Sequence, residues 1–218
     1  MGTITDDHLL SRCERIATST WSDALDELAM TGVVTGLSQR SGSGRFAGYA
    51  VTAREVAGPL QAFARREFAV GSLIASVGPG QVLVVDAGGA EISTFGGLAT
   101  LAASLRGAAA VVIDGGCRDV DEIRATNLWL ASRFVTPISG KTRIRVESIG
   151  DPVHLGGLLV RAGDLVVGDE TGIVIVPRAQ IAAVLAKAEA IVEKDRMIEA
   201  ALRAGKSFSE AATAADYI

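Results

Sequence analysis

The chain has little of what many redox and metal chemistries require. Its 218 residues include two cysteines, Cys13 and Cys117, far apart in sequence, which is no disulfide framework. The two histidines, His8 and His154, stand at no ligand spacing, which argues against a histidine-based zinc site. Lysine and arginine never run beyond a pair, and the net charge is −4; neither offers a footprint for nucleic acid. No apolar stretch approaches the roughly 18 residues of a membrane span, and no basic-then-apolar leader opens the chain. The expected location is the cytoplasm. Neither G-x-G-x-x-G nor G-x-x-x-x-G-K-[ST] occurs, which argues against dinucleotide and P-loop binding. Aromatic residues make up only 5% against 49% hydrophobic, so the core must be built from Ala, Val, Leu and Ile.

What is present reads as one α/β domain over residues 1–218, a length that supports a good-sized core. N-terminal helices are expected over 5–30. The first, over 5–18, carries Leu9, Leu10, Cys13, Ile16 and Ala17 on one stripe. The second would be capped by Thr20 or Ser22 and run to Met30. A strand is expected over 46–56, a helix over 59–68 and a loop over 76–80. A β-rich, partly antiparallel part follows over 132–176, with strands at 143–149, 153–160, 164–167 and 172–176. Asp169 and Glu170 read as turn chemistry between the last two. A long amphipathic helix over 178–204 closes the domain, with a polar tail after Gly205.

The centre is residues 82–119. Val82–Asp86 and Ala110–Ile113 are β-branched runs ending in Asp and glycine, and Leu98–Arg106 between them is helical in pattern. Strand, helix, strand reads as a parallel βαβ unit. In a right-handed unit the two strand ends and the helix start lie at one edge of the sheet, where ligands of open α/β sheets tend to sit. The loop after Asp86, the backbone N–H groups of Gly96, Gly97, Leu98 and Ala99, and the loop Asp114–Asp119 should therefore converge. A glycine-lined helix start favours a carboxylate or phosphate. Arg118 adds a fork of donors for the same anion, and Asp119 adds a hard oxygen ligand for a divalent cation. Plainer readings of the same residues are a simple turn and a solvated ion pair. Cys117 beside Arg118 reads as a small loop filler or as a thiol of lowered pKa.

This segment resembles the signature of the RraA-like family, which joins class II 4-hydroxy-4-methyl-2-oxoglutarate (4-carboxy-4-hydroxy-2-oxoadipate) aldolases to the regulator of ribonuclease E activity A. Similar residues include Ser22–Asp26, Phe46–Thr52, Val82–Asp86, Val111–Gly115 with Arg118-Asp119, and Gly163–Asp169 with Gly172. The resemblance implies a mixed sheet of the swivelling β/β/α type with a central βαβ unit and a long C-terminal helix. It implies Mg²⁺ or Mn²⁺ at Asp119 and substrate on Arg118, with a pyruvate carboxylate on the Gly97-Leu98-Ala99 amides. It implies a homotrimer or hexamer in which a glutamate of the neighbour's last helix reaches the metal through water; Glu193 is the candidate, with Glu189 second. The implied partner is a small 2-oxo acid, with no nucleic acid and no membrane. The implied activities are aldol cleavage and oxaloacetate decarboxylation; a non-catalytic protein that binds a ribonuclease or another protein is the alternative.

The aldolase members carry an acid, then twenty residues, then Arg-Asp; here the acid's position is Gly97. Cleaving an aldol requires a base for the substrate hydroxyl proton, whereas decarboxylation needs only an electron sink. The expectation is that oxaloacetate decarboxylation persists, while aldol cleavage is weak or uses another base. A Gly97→Asp exchange is then expected to add aldol cleavage.

Overall fold

In the computed structural model, which describes the backbone of residues 3–215 and side chains from His8 onward, the elements follow one another closely. They are α1 (Thr3–Glu14), α2 (Thr18–Glu27), β1 (Ser38–Ser41), β2 (Phe46–Ala57), α3 (Val70–Ser76), β3 (Gln81–Asp86), β4 (Ser93–Phe95) and α4 (Gly97–Leu105). Then come β5 (Ala110–Cys117), α5 (Val120–Ala125), β6 (Trp129–Val135), β7 (Ile144–Ile149), β8 (Val153–Leu155), β9 (Leu158–Val160), β10 (Leu165–Asp169), β11 (Gly172–Val176), α6 (Ile181–Arg203) and α7 (Phe208–Ala214).

Nine strands form one mixed sheet in the order β1-β6-β5-β3-β2-β10-β11, with β4 added to β5 and β7 to β2. The expected parallel pair is present: β3 lies parallel to β5, in register from Val82–Ala110 to Asp86–Asp114. β2 and β6 extend this parallel centre, and antiparallel β10 and β11 close one side. β8 and β9 form a separate hairpin turned by Gly156-Gly157.

The centre is buried on both faces, as continuous apolar runs in parallel strands require. Successive side chains alternate in direction. Leu83, Val85, Val111 and Ile113 pack under α3, α4 and α5 with Leu73, Phe95, Ala103 and Ile123. Val82, Val84, Ala110 and Val112 pack on the other face against Trp129 and the hairpin's Val153, Leu155 and Val160. Helices α1, α2 and α6 cover β10 and β11 through Trp21, Leu25, Val184 and Leu185.

Several sequence expectations are corrected. The helix at 59–68 is only a 3₁₀ turn, Arg65–Phe68; Gly58-Pro59 and a left-handed Gln61 (φ 71°) prevent a regular helix from starting earlier. The loop expected from Asp114 begins four residues later, because the Gly115-Gly116 backbone continues the ladder between β4 and β6. Strand β4 has three residues, too short for a period to show. The tail after Gly205 holds α7, whose Ser207 and Glu210 form a reciprocal capping box, a signature that S-x-x-E carries in the sequence.

Helix α2 starts at Thr18 rather than behind a Thr20 or Ser22 cap. Asp169, at the end of β10, accepts hydrogen bonds from Thr18 N (3.0 Å) and Thr18 Oγ1 (2.6 Å) and from Thr171 N (2.8 Å). It thus combines the expected turn chemistry with the role of a helix cap supplied from a distant strand. Burial pushes its carboxyl up, but these bonds outweigh burial and hold it below the usual carboxylate range.

Candidate active site

The strand end that matters is that of β5. Beyond Cys117 the chain turns at Arg118-Asp119 into α5, while β4, hydrogen-bonded alongside β5, turns at Gly96 into α4. The two helix starts face one cleft of about 380 Å³. Gly96, Leu98, Ala99, Arg118 and Asp119 line it, as expected, together with Glu122, Thr94, Ser139 and Lys141.

Among the residues lining the cleft, Asp119 is the one with a left-handed backbone. It has φ 56° and ψ 46°, left-handed for a residue with a side chain, at the N-cap of α5. Its carboxylate does not cap that helix. It reaches across to Gly97 N (3.4 Å) and lies 3.4 Å from Arg118 Nε. A carboxylate directed away from its own helix start by an uncommon backbone conformation is the kind of outlier from which a functional reading can begin. At 40% side-chain exposure it is open to a ligand.

Gly97 is explained by Glu122. A Cβ at position 97 would overlap the Glu122 carboxylate, whose Cδ would stand 2.8 Å away. The space that a side chain at 97 would enter is thus held by a carboxylate from α5. Gly96 is equally constrained: its Cβ would overlap Asp119 Oδ2. These glycines let two acids crowd the start of α4. The expectation for Gly97→Asp is therefore corrected, because an added carboxylate would collide with one already there. Glu122 is absent from the residues the sequence singles out; its only signal is its position three residues after Asp119, in the first turn of α5.

The rest of the expected convergence does not form. Asp86 lies outside this cleft, its Oδ1 accepting from Gly88 N (2.9 Å) and its Oδ2 from His154 N (3.0 Å). Asp114 lies mid-strand and takes a bidentate pair from Arg133 (2.6 and 3.0 Å) and a bond from Gly156 N (2.9 Å). Burial raises its pKa, but Arg133 and Gly156 hold it below the usual value. Both acids fasten the β8–β9 hairpin to the sheet. Cys117 is fully buried with Sγ 3.3 Å from Ser132 Oγ, and burial pushes its thiol up. It fills space; the lowered-pKa reading is not borne out.

Ser139 and Lys141 reach the cleft because the segment after β6 returns along β4: Ser93 N bonds Ile138 O (2.9 Å) and Gly140 N bonds Ser93 O (3.0 Å). No periodicity announced them. Glu193 and Glu189 lie elsewhere, in a groove with Arg12, Arg15 and Arg196. Glu189 pairs with Arg12 (2.8 Å) and Glu193 with Arg196 (3.4 Å). Within one chain neither joins Asp119.

Among the described residues no three His, Cys, Asp or Glu side chains cluster as a metal cage. Magnesium needs no such cage: it keeps several waters and takes one or two carboxylates plus ligand oxygens. Asp119 and Glu122 in one cleft fit that requirement. Arg118 and Lys141 supply positive charge for an anion beside them.

Comparison with known proteins gives the family and the fold. The RraA-like family, described as Aldolase/RraA, matches residues 18–175. A Halalkalibacterium halodurans protein, provisionally named a 4-hydroxy-4-methyl-2-oxoglutarate aldolase, is 30% identical over 88% of each chain. An uncharacterised Methanocaldococcus jannaschii protein is 33% identical over 58% of this chain, and the match spans 61% of that protein. In structure, an uncharacterised Pseudomonas syringae protein superposes with a TM-score of 0.82 at 30% identity, covering 94% of this chain and 96% of its own. Streptomyces coelicolor RraAS2, described as an unusual member of the RNase ES inhibitor RraA family, superposes at 0.77 with 26% identity, over 87% of this chain and 97% of its own.

Proposed function

The chain belongs to the RraA-like family, and from that premise we propose that it is a divalent-metal-dependent lyase acting on small 2-oxo acids. The observation that supports this most is the pairing of Asp119 and Glu122 beside Arg118, Lys141 and the amide-lined start of α4. A divalent cation, Mg²⁺ or Mn²⁺, held by Asp119 would polarise the substrate's keto group and offset the negative charge that develops as the C–C bond breaks.

The chain's own groups would do the rest. The Leu98 and Ala99 amides and Lys141 would hold the carboxylate of the 2-oxo acid, fixing its orientation. Arg118 would donate to the developing oxyanion; such donors act most where water is excluded. In aldol cleavage Glu122 would take the proton of the C4 hydroxyl. The C3–C4 bond then breaks, its electrons move onto the pyruvate fragment as an enolate, and a proton returns at C3. Oxaloacetate decarboxylation breaks the corresponding bond with loss of CO₂ and needs no such base. Glu122 is thus the other base that Gly97 called for.

The test is pyruvate release from oxaloacetate and from 4-hydroxy-4-methyl-2-oxoglutarate. Release from both with Mg²⁺ or Mn²⁺, and none with EDTA, is the expected result. No release from either under any metal would sink the lyase reading and favour the regulatory one, binding to a ribonuclease or another protein, which the likeness to RraAS2 keeps as the alternative.

Assembly into a homotrimer or hexamer belongs to the same proposal. On α4, Leu98 and Leu105 stand 81% and 80% exposed, with Leu101 between them. These residues share one helix face at the cleft's edge, and an exposed leucine row of this kind marks an interaction surface. A second copy seated here would border the cleft and could bring its own last helix, with Glu193, toward Asp119. Leu105→Asp is expected to convert the assembly to monomers by light scattering; an unchanged mass would show that this row is not the contact.

A further inference from the structure

Behind the cleft lies a buried acid that the proposed reaction does not use. Glu55, on β2, is only 4% exposed. Its Oε2 accepts a hydrogen bond from Thr94 Oγ1 at 2.5 Å. Its Oε1 finds no hydrogen-bond partner among the described residues. An acid buried with half its acceptors unused costs stability unless it carries a proton. Thr94 is also a lining residue of the cleft, so a single threonine stands between the buried acid and the place assigned to the substrate.

We propose that Glu55 is a positioning residue which, through Thr94, sets whether the wall of the cleft donates or accepts a hydrogen bond toward an anionic ligand. The proposal rests on the reading of the cleft as a 2-oxo acid site. A hydroxyl has one proton to give. When Glu55 is ionised it can only accept, so Thr94 gives its proton to Glu55 and offers the cleft lone pairs alone. When Glu55 is protonated it can donate to Thr94 Oγ1, and the threonine proton is free for a ligand carboxylate. The first state repels an anion locally and the second binds it.

The switch falls near neutrality. Burial pushes the Glu55 carboxyl up to about 7, with the Thr94 bond pulling the other way. The charged groups around it do not alter this balance. On β7, Arg145 and Glu147 pair with each other, and Arg54 of β2 also pairs with Glu147. Arg143 donates to Ser139 O, and Glu67 accepts from Ala64 N. Asp86 of β3 is tied to Gly88 and His154. Across Thr94 the cleft holds Arg118, Asp119, Glu122 and Lys141.

The sign for stability follows from the raised pKa. The protonated acid is at home in the fold, so stability is fully present below the ordinary carboxylate pKa and is lost as pH rises through about 7. Relative to Glu55→Gln, the wild type should unfold at progressively lower urea as pH rises from 5 to 8.

The deciding experiment is binding of oxalate by calorimetry in Mg²⁺ at pH 6 and pH 8.5, on wild type, Glu55→Gln, Thr94→Ser and Thr94→Val. Oxalate stays a dianion at both pH values, so its own charge does not vary. Wild type and Thr94→Ser should bind roughly tenfold more weakly at pH 8.5, the scale of one hydrogen bond to a charged group. Glu55→Gln, whose amide can donate to Thr94 at every pH, should bind tightly at both. Thr94→Val should bind weakly at both. A wild type with no pH dependence, or a Glu55→Gln variant that keeps the wild-type decline, overturns the proposal while leaving the cleft's assignment standing. A wild type that binds no oxalate at either pH removes the anion site itself, and this proposal with it.

Discussion

Asp119→Ala should remove metal-dependent pyruvate release from oxaloacetate almost completely, a fall of about 10³-fold or more in kcat/KM. The size follows from what the carboxylate is placed to do. Removing a single preorganised donor from a developing oxyanion already costs about 10²–10³-fold, and the proposed cation and the orientation of Arg118 would both depend on the same side chain. Asp119→Gly separates this loss from any effect on the fold. Asp119 sits at φ 56° without capping its helix, and glycine takes that backbone freely. Asp119→Gly should therefore lose the same activity while unfolding at no lower urea than wild type. Loss of activity with retained stability separates a functional acid from a structural one. If Asp119→Gly unfolds more readily and keeps its turnover, the carboxylate is a helix-start feature and the proposed site is wrong.

Glu122 and Gly97 give the second large effect, because they compete for one space. Glu122→Gln should slow cleavage of 4-hydroxy-4-methyl-2-oxoglutarate by about 10²–10⁴-fold, the range of a general base. Oxaloacetate decarboxylation should fall by less than about tenfold, since it has no hydroxyl proton to remove. Gly97→Asp alone should lower both activities and destabilise the chain by about 1–3 kcal/mol, the usual cost of overpacking. Its Cβ would overlap the Glu122 carboxylate. Combined with Glu122→Gly, which removes both the carboxylate and the Cβ that a side chain at 97 would meet, Gly97→Asp should restore aldol cleavage above the level of Glu122→Gly alone. A gain of aldol cleavage in Gly97→Asp with Glu122 intact would show that the carboxylate does not hold that position during turnover.

The contrast between these residues shows what the sequence made legible. Val82–Asp86, Ala110–Ile113 and the helix between them were readable because burial on both faces writes unbroken β-branched runs. Arg118, Asp119 and the start of α4 followed from topology alone, since a βαβ unit gathers those points at one edge. Asp86 and Asp114 share the strand-end pattern yet are tied to the hairpin, a distinction that depends on His154 for the first and on Arg133 and Gly156 for the second, all far from them in sequence. Glu122 was hidden for another reason. An acid in a first helical turn is ordinary, and only the three-dimensional proximity of Gly97 shows that it fills a vacancy. Ser139, Lys141 and Thr94 enter the cleft through β4, whose three residues carry no detectable period.

The cap on α2 bears on the order in which the chain organises. Thr18 depends on Asp169, 151 residues later, and Trp21 and Leu25 pack with Val167, Val174 and Val184 of the C-terminal half. During synthesis from the N-terminus α2 emerges long before β10, β11 and α6, the elements it packs against. It remains unanchored until they have arrived, whereas α1 can already meet β2. The amides of α2 should therefore be among the last to gain protection from solvent exchange, while the central parallel strands gain it early.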